Sequence, residues 1–463
     1  MLLKDSSRME ICMKQDVFEK APIPKAYFSF AIPLVLGNIV TLLYNMVDTF
    51  FIAKTGNTNL IAGISLCAPI FTFMIALGDI FGLGGCSFIS RLLGEKNEEA
   101  GRRVSAFSYY GALVFGVIIA AILLIFKNPI LALLGANDDT FLYASQYYKW
   151  LAFGAPLIVL NFVPMNQLRS VGLSKESVGS TIAGTIVNII LDPIFIFTLG
   201  LGAAGAAIAT ILGYLVTDTC FTWAIVKKTT NLSANPKYAK ISFKELQQIM
   251  AIGFPASLTN FIQTFGSTFL NRSLLVYGTT QVAAMGMSMK INSLISYILV
   301  GFAFGPQPLI GYNYGAKNHD RLKKLLKFDY GFACCFAVVT SIIMCFAGPQ
   351  ILTFMIDDPE VIRIGTTMIR IYMLGMVFVA FVLVSTTVFQ STGKSLGALI
   401  LAISRQGIIF CTMLTILPRI FGYYGVLFSQ PVSDCLTAVL GAFLMYKLLF
   451  SELKSAPFTQ TET

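Results

Sequence analysis

Residues 27–53 read YFSFAIPLVLGNIVTLLYNMVDTFFIA, an apolar run broken by a single charge, Asp48, and longer than the roughly 20 residues a helix needs to cross a bilayer. Eleven further runs of this kind follow, at about 62–90, 104–126, 147–171, 178–198, 203–226, 248–276, 283–313, 328–348, 366–390, 397–421 and 424–449. Composition agrees: of 463 residues 56% are hydrophobic and 12% charged, where globular chains carry about 25% charged residues. So few charges cannot cover a water-facing surface of this size, so most of the chain must face lipid or other helices. The fold expected is an all-α integral membrane protein of twelve transmembrane helices.

The first 26 residues are polar, with no short apolar core ahead of a small-residue cleavage site, so the first run is expected to stay as an anchor. Alternate connections collect 25 of the 33 Lys and Arg residues on one side of the membrane, counting Arg405 with the tenth loop. The positive-inside rule then puts both termini in the cytoplasm of a multi-pass protein of the cytoplasmic (inner) cell membrane. The chain also repeats. Gly94-Glu95-Lys96-Asn97 returns as Gly315-Ala316-Lys317-Asn318 and Arg169-Ser170-Val171-Gly172 as Gln390-Ser391-Thr392-Gly393, both at an offset of 221. Pro33 returns as Pro255 and Gly205 as Gly425, at offsets of 222 and 220. Six spans separate the copies, so both enter the membrane the same way round, and two six-helix bundles should be related by a pseudo-two-fold axis along the membrane normal. The expected organisation is a cytoplasmic tail at 1–26, an N-terminal six-helix lobe at 27–226, a cytoplasmic inter-lobe loop at 227–247, a C-terminal lobe at 248–449 and a cytoplasmic tail at 450–463.

Several function classes drop out. The one histidine, His319, cannot supply a His-based triad or an HExxH zinc site, and no nucleophile–base constellation for an enzyme is visible. The nine cysteines show no CxxC spacing, and most of them (Cys67, Cys86, Cys220, Cys345, Cys411 and Cys435) sit singly in apolar runs and read as small buried hydrophobes. The net charge of +10 is spread between apolar runs, which suits membrane lipid headgroups and not nucleic acid. Ser391-Thr392-Gly393-Lys394-Ser395 resembles the end of a P-loop, but Val388 stands where its first glycine would be. With no nucleotide-binding domain in view and no cofactor expected, an ion gradient is left as the energy source.

A charge at the bilayer centre costs at least about 2.5–3.5 kcal/mol, which makes an intramembrane carboxylate a functional candidate. Asp48 shares one helical face with Asn38, Thr41, Tyr44 and Asn45, at spacings of three and four. Asn188 and Asp192 stack four apart in the fifth run ahead of Pro193 and offer oxygen ligands to a proton or a hard cation such as sodium. Asp79, beside Gly78, is read either as a functional acid or as one bonded to its local backbone. By the offset the acids at 48 and 79 map to Leu270 and Gly301, and Asp192 has no counterpart near 412–414. The coupling chemistry is therefore expected in the N-terminal bundle, with Gln263, Lys290 and Asn292 as the intramembrane polar groups of the second half. Lys290 is read either as paired with a carboxylate or as snorkelling to the interface.

The Pro33/Asp48 run, Gly94-Glu95-Lys96-Asn97, Asn188-x-x-x-Asp192-Pro193 and Gly202-x-x-Gly205-Ala-Ala-Ile-Ala-Thr210 together resemble the multidrug and toxic compound extrusion (MATE) family, nearer its DinF/MepA-type branch. The resemblance spans about residues 27–450. It implies two six-helix lobes forming a V around a central cleft, exporting cationic or amphipathic drugs in exchange for H⁺ or Na⁺. By motif position it implies an N-lobe cation or proton site of Asp48, Asn188, Asp192 and Thr210, with Tyr44 and Asn166 nearby, and a helix bend at Pro33. The NorM-type branch has a glutamate where this sequence has Gln263, so Gln263, like Asp79 and Lys290, is a candidate cavity group and not a coupling acid. The expected function is a secondary active multidrug antiporter working by alternating access as a monomer. The rival is a lipid-linked precursor flippase of the same broad superfamily, for whose pyrophosphate the runs offer little beyond Lys290 and Arg272.

Overall fold

The computed structural model describes residues 16–455. Helices α1 (Ile23–Lys54), α2 (Ala68–Gly94, entered through a short helix Thr58–Leu66), α3 (Glu98–Ile125), α4 (Asp138–Ser170), α5 (Ser174–Pro193, prolonged by a π turn Ile194–Thr198) and α6 (Gly202–Lys228) form the first bundle. Helices α7 (Phe243–Leu275), α8 (Thr279–Phe304, continued by Gln307–Gly315), α9 (His319–Met355), α10 (Pro359–Ser391), α11 (395–421) and α12 (423–450) form the second. No strand is present among the described residues.

Among the described residues ten stretches are long and apolar enough to cross a membrane, and the two missing from twelve have physical causes. The polar side chains of α7, Asn260, Gln263, Thr264, Ser267 and Thr268 among them, dilute its hydropathy. Helices α11 and α12 run together as one apolar stretch, which Gly422 divides with a left-handed φ of 55° that a side chain would disfavour.

The repeat is visible in the backbone. Lys96 and Lys317 are the only described non-glycine residues at positive φ, at 58° and 56°. The asparagine after each caps the next helix: Asn97 accepts from the Ala100 N–H and Asn318 from the Arg321 N–H.

Packing decides the shape. One hydrophobic core runs through both bundles at the face where the described residues begin and end, here called the terminal face, joining Tyr27, Ile89, Leu168 and Phe221 to Leu299, Leu309, Leu326 and Phe389. At the far face the core splits into separate clusters, one inside α2–α4 and another inside α7, α8 and α10–α12. At the terminal face the bundles touch backbone to backbone. A Cβ on Gly253 of α7 would lie 1.9 Å from the Ile80 carbonyl oxygen of α2, and one on Gly94 would lie 2.1 Å from the Tyr312 carbonyl oxygen. The lobes are thus shut at the terminal face and part towards the far face.

Helix α1 belongs to both sides of this seam. Before Pro33, Tyr27 packs on Phe328 and Phe332 of α9, and beyond it Gly37 packs on Val178 of α5. The expectation for Arg405 is corrected: it lies not in a loop but in a π turn within α11, where its Nε donates to Asp434 at 2.9 Å.

Candidate functional site

Asp48 lies six residues from the far-face end of α1, about 9 Å along the helix, and is half-buried. Asp192, at the far-face end of α5, is completely buried, and Asn188 one turn earlier is nearly so. Thr210 of α6, also buried, completes the wall. The fields of Asp48 and Asp192 act on one another, and the Tyr44 hydroxyl interacts with both Asp48 and Thr210. Five of the residues expected together are therefore together.

The cluster holds an excess of acceptors. Asn188 Nδ2 donates to Asp192 Oδ1 at 3.5 Å, which leaves Asn188 Oδ1 and Asp192 Oδ2 buried without a partner. The Thr210 hydroxyl donates its proton to the Ala206 carbonyl at 3.0 Å and is bonded on its other side to the Tyr44 hydroxyl. Orphaned buried acceptors are costly, and a set of oxygens of this kind can accept a proton or a hard cation. Above the cluster Ile52, Leu60, Ile196, Ala203 and Ala206 form an apolar cap at the far face.

Asn166 is a correction. It lies near the terminal-face end of α4, 19 residues and so about 28 Å along the helix from Tyr147. Tyr147 is the α4 residue that feels the charges of Asp48 and Asp192. The Asn166 amide is committed there: its Nδ2 donates to the Phe162 carbonyl at 2.7 Å and its oxygen accepts from Arg169 at 3.1 Å. Arg169 in turn donates to the Phe304 carbonyl across the seam.

Asp79 is bonded not to its own backbone but across the seam, where Asn260 Nδ2 of α7 donates to it at 3.1 Å. Gln263 lies one turn further along α7 and is exposed. Lys290 is also exposed, two turns along α8 from Tyr297, whose carbonyl accepts from Asn38 of α1 at 2.9 Å. The spacing keeps Lys290 on the face of α8 that meets α1.

Three buried carboxylates were missed. Asp218 of α6 accepts from Asn161 at 2.8 Å, Asp434 of α12 pairs with Arg405, and Asp329 of α9 has no partner on either oxygen. The last two correct the expectation that the second half holds no intramembrane acid. All three stand inside or at the edge of apolar runs, so the rule that singled out Asp48 would have found them.

The sequence matches the MatE family model over residues 33–194 and 255–413. A protein of Staphylococcus haemolyticus (strain JCSC1435) described as "Multidrug export protein MepA" is 33% identical over 432 residues, which cover 93% of this chain and 95% of that one. Among solved structures, one described as MATE in the straight conformation superposes with a TM-score of 0.89 at 26% identity, covering 95% of this chain and 99% of that one. Another, described as the outward-facing conformation of a multidrug resistance MATE family transporter of the MOP superfamily, gives 0.88 at 26% identity, with 95% and 98% covered.

Proposed function

The chain belongs to the MatE family, and from that premise we propose that it is a monomeric secondary active antiporter of the cytoplasmic membrane. It exports cationic or amphipathic drugs in exchange for H⁺ or Na⁺, with its termini in the cytoplasm and its cleft open to the outside. The observation that carries the coupling is the set of orphaned acceptors, Asp192 Oδ2 and Asn188 Oδ1, beside the second carboxylate Asp48. A cation entering this cluster removes the mutual repulsion of two acids in a poorly solvated pocket. Drug and cation then need only favour different conformations, each shifting the balance by its own difference in affinity. Pro33 lies within α1 between its packing on α9 and its packing on α5, so a change of bend there alters the cleft without unfolding either bundle.

The test is drug movement in everted membrane vesicles with pH and Na⁺ gradients imposed separately. The proposal requires that one of the two gradients drives accumulation, and that Asp48→Asn abolishes it while the protein stays in the membrane. Full transport by Asp48→Asn at normal expression removes Asp48 from the coupling.

A further inference from the structure

The seam at the terminal face holds a carboxylate that the N-lobe cluster does not use. Asp329, ten residues into α9, is completely buried and neither oxygen has a hydrogen-bond partner. From α1 the Tyr27 hydroxyl lies against it but donates to the Phe302 carbonyl of α8 at 2.9 Å. On its own helix Tyr330 and Cys334 are within electrostatic reach, and Tyr330 is bonded to Ser385 of α10 at 2.8 Å. No charged side chain of α1, α8 or α10 acts on it. Lys327, two residues earlier and so on the opposite side of the helix, is exposed. Arg321, two turns back and about 12 Å along α9, donates to the main-chain carbonyls of Val17, Phe18 and Ala21.

An ionised carboxylate in this setting has no counter-charge, and the one donor within reach, the Tyr27 hydroxyl, is shared with the Phe302 carbonyl, so burying the charge there is costly. With the seam closed the group is therefore held as the neutral acid. Opening the seam lifts the first half of α1 off α9 and exposes Asp329 to water, where the ionised form is no longer penalised. We propose that Asp329 is a second proton-binding site of this protein, loaded when the first half of α1 seats on the C lobe and emptied when that seam opens. The proposal rests on the alternating-access function given above. It differs from the N-lobe cluster in where its proton comes from, since Asp329 exchanges with water on the side of the termini. It also differs in effect: by linkage, acid on that side favours the closed seam, by up to about ten-fold per pH unit between the group's two titrations.

The experiment is a pulsed spin-label distance measurement across the terminal face of the full-length protein in lipid nanodiscs. Labels sit at Glu99→Cys on α3 and Lys324→Cys on α9, both exposed positions, with the native cysteines replaced. The fraction with the short, closed-seam distance is read over about pH 5 to 9, with and without ethidium as the cationic probe. In the Asp48→Asn/Asp192→Asn background, where the first site cannot titrate, the closed fraction should still fall as pH rises. Adding Asp329→Asn should hold the seam closed and remove that slope. Tyr27→Phe, which keeps the ring packing and so the fold, should move the midpoint without removing the slope. A slope absent from the Asp48→Asn/Asp192→Asn background, or surviving Asp329→Asn, overturns the second site while leaving the transport function standing. One unchanging distance at every pH, with and without ethidium, overturns alternating access and the second site with it.

Discussion

Gly253→Ala adds one methyl group at the place where the two lobes touch most closely. Its Cβ would lie 1.9 Å from the Ile80 carbonyl oxygen and 2.6 Å from the carbonyl carbon, both backbone atoms of α2. Neither helix can turn a side chain aside, so the seam must widen by roughly 1.5 Å, the distance back to ordinary contact. Overpacking of this kind costs about 1–3 kcal/mol. The cost falls only on the conformation in which α2 and α7 are pressed together, so about 2 kcal/mol moves the closed-to-open ratio of the seam by roughly 30-fold. Ser87 reports the change: it is completely buried in the seam and its hydroxyl donates to the Gln390 carbonyl of the other lobe. A Ser87→Cys protein without its native cysteines should react slowly with a membrane-impermeant thiol reagent applied from the terminal side, and Gly253→Ala should speed that reaction by about the same factor. Gly184→Ala is the control. Its Cβ would lie 1.8 Å from Thr217 Oγ1 and 2.4 Å from the Gly213 carbonyl oxygen, wholly inside the N lobe, so it should lower thermal stability without changing Ser87→Cys labelling. Unchanged labelling in a folded Gly253→Ala protein would refute the idea that this contact is made in only one conformation.

Further outcomes follow from the same geometry. Gln263→Ala should change drug affinity but leave ion dependence intact, because a neutral amide exchanges no proton in the working pH range; lost ion dependence would put coupling chemistry in α7. A thiol reagent applied outside intact cells should not reach Lys237→Cys in the inter-lobe segment, and reaction there would invert the topology. Glu245, in the first turn of α7, is subject to burial that raises its carboxyl. Bonds from Ser242 and the guanidinium of Arg103 at 3.2 Å outweigh this and hold it below the ordinary range. A depressed carboxyl stabilises the fold above its unfolded value and loses that contribution as pH falls through its folded value. Acidification should therefore lower the melting temperature of the wild type more than that of Glu245→Gln, and equal slopes would dismiss the pair.

The bundle architecture was legible because each half repeats local chemistry that the backbone needs, as Lys96 and Lys317 show with their matching left-handed turns. Helix α7 was legible as a run although its polar side chains weaken its hydropathy. Of the outer cluster, Asp48, Tyr44, Asn188 and Asp192 could be read from helical spacing and Thr210 from motif position, whereas Tyr147 carries no signal until α4 is laid against α1 and α5. Asn166 was misplaced because motif position gives a residue's helix but not its depth. Arg405 stands inside the apolar run at 397–421, and nothing adjacent in sequence offers it a counter-charge. In the fold Asp434 pairs with it inside the membrane-spanning region, and only a long-range contact reveals that.

The central claim is that the cluster around Asp48 and Asp192 binds the cation that competes with drug. Its most direct test is the affinity of the purified protein for a fluorescent cationic drug, measured over about pH 5 to 8 and, at fixed pH, over a range of Na⁺. Linkage requires each ligand to weaken the other by the same factor. Affinity should therefore rise as protons, or Na⁺ if that is the coupling ion, are withdrawn, and the dependence should flatten in Asp48→Asn/Asp192→Asn. A wild type indifferent to both ions, or an ion dependence that survives the double substitution, would contradict the claim.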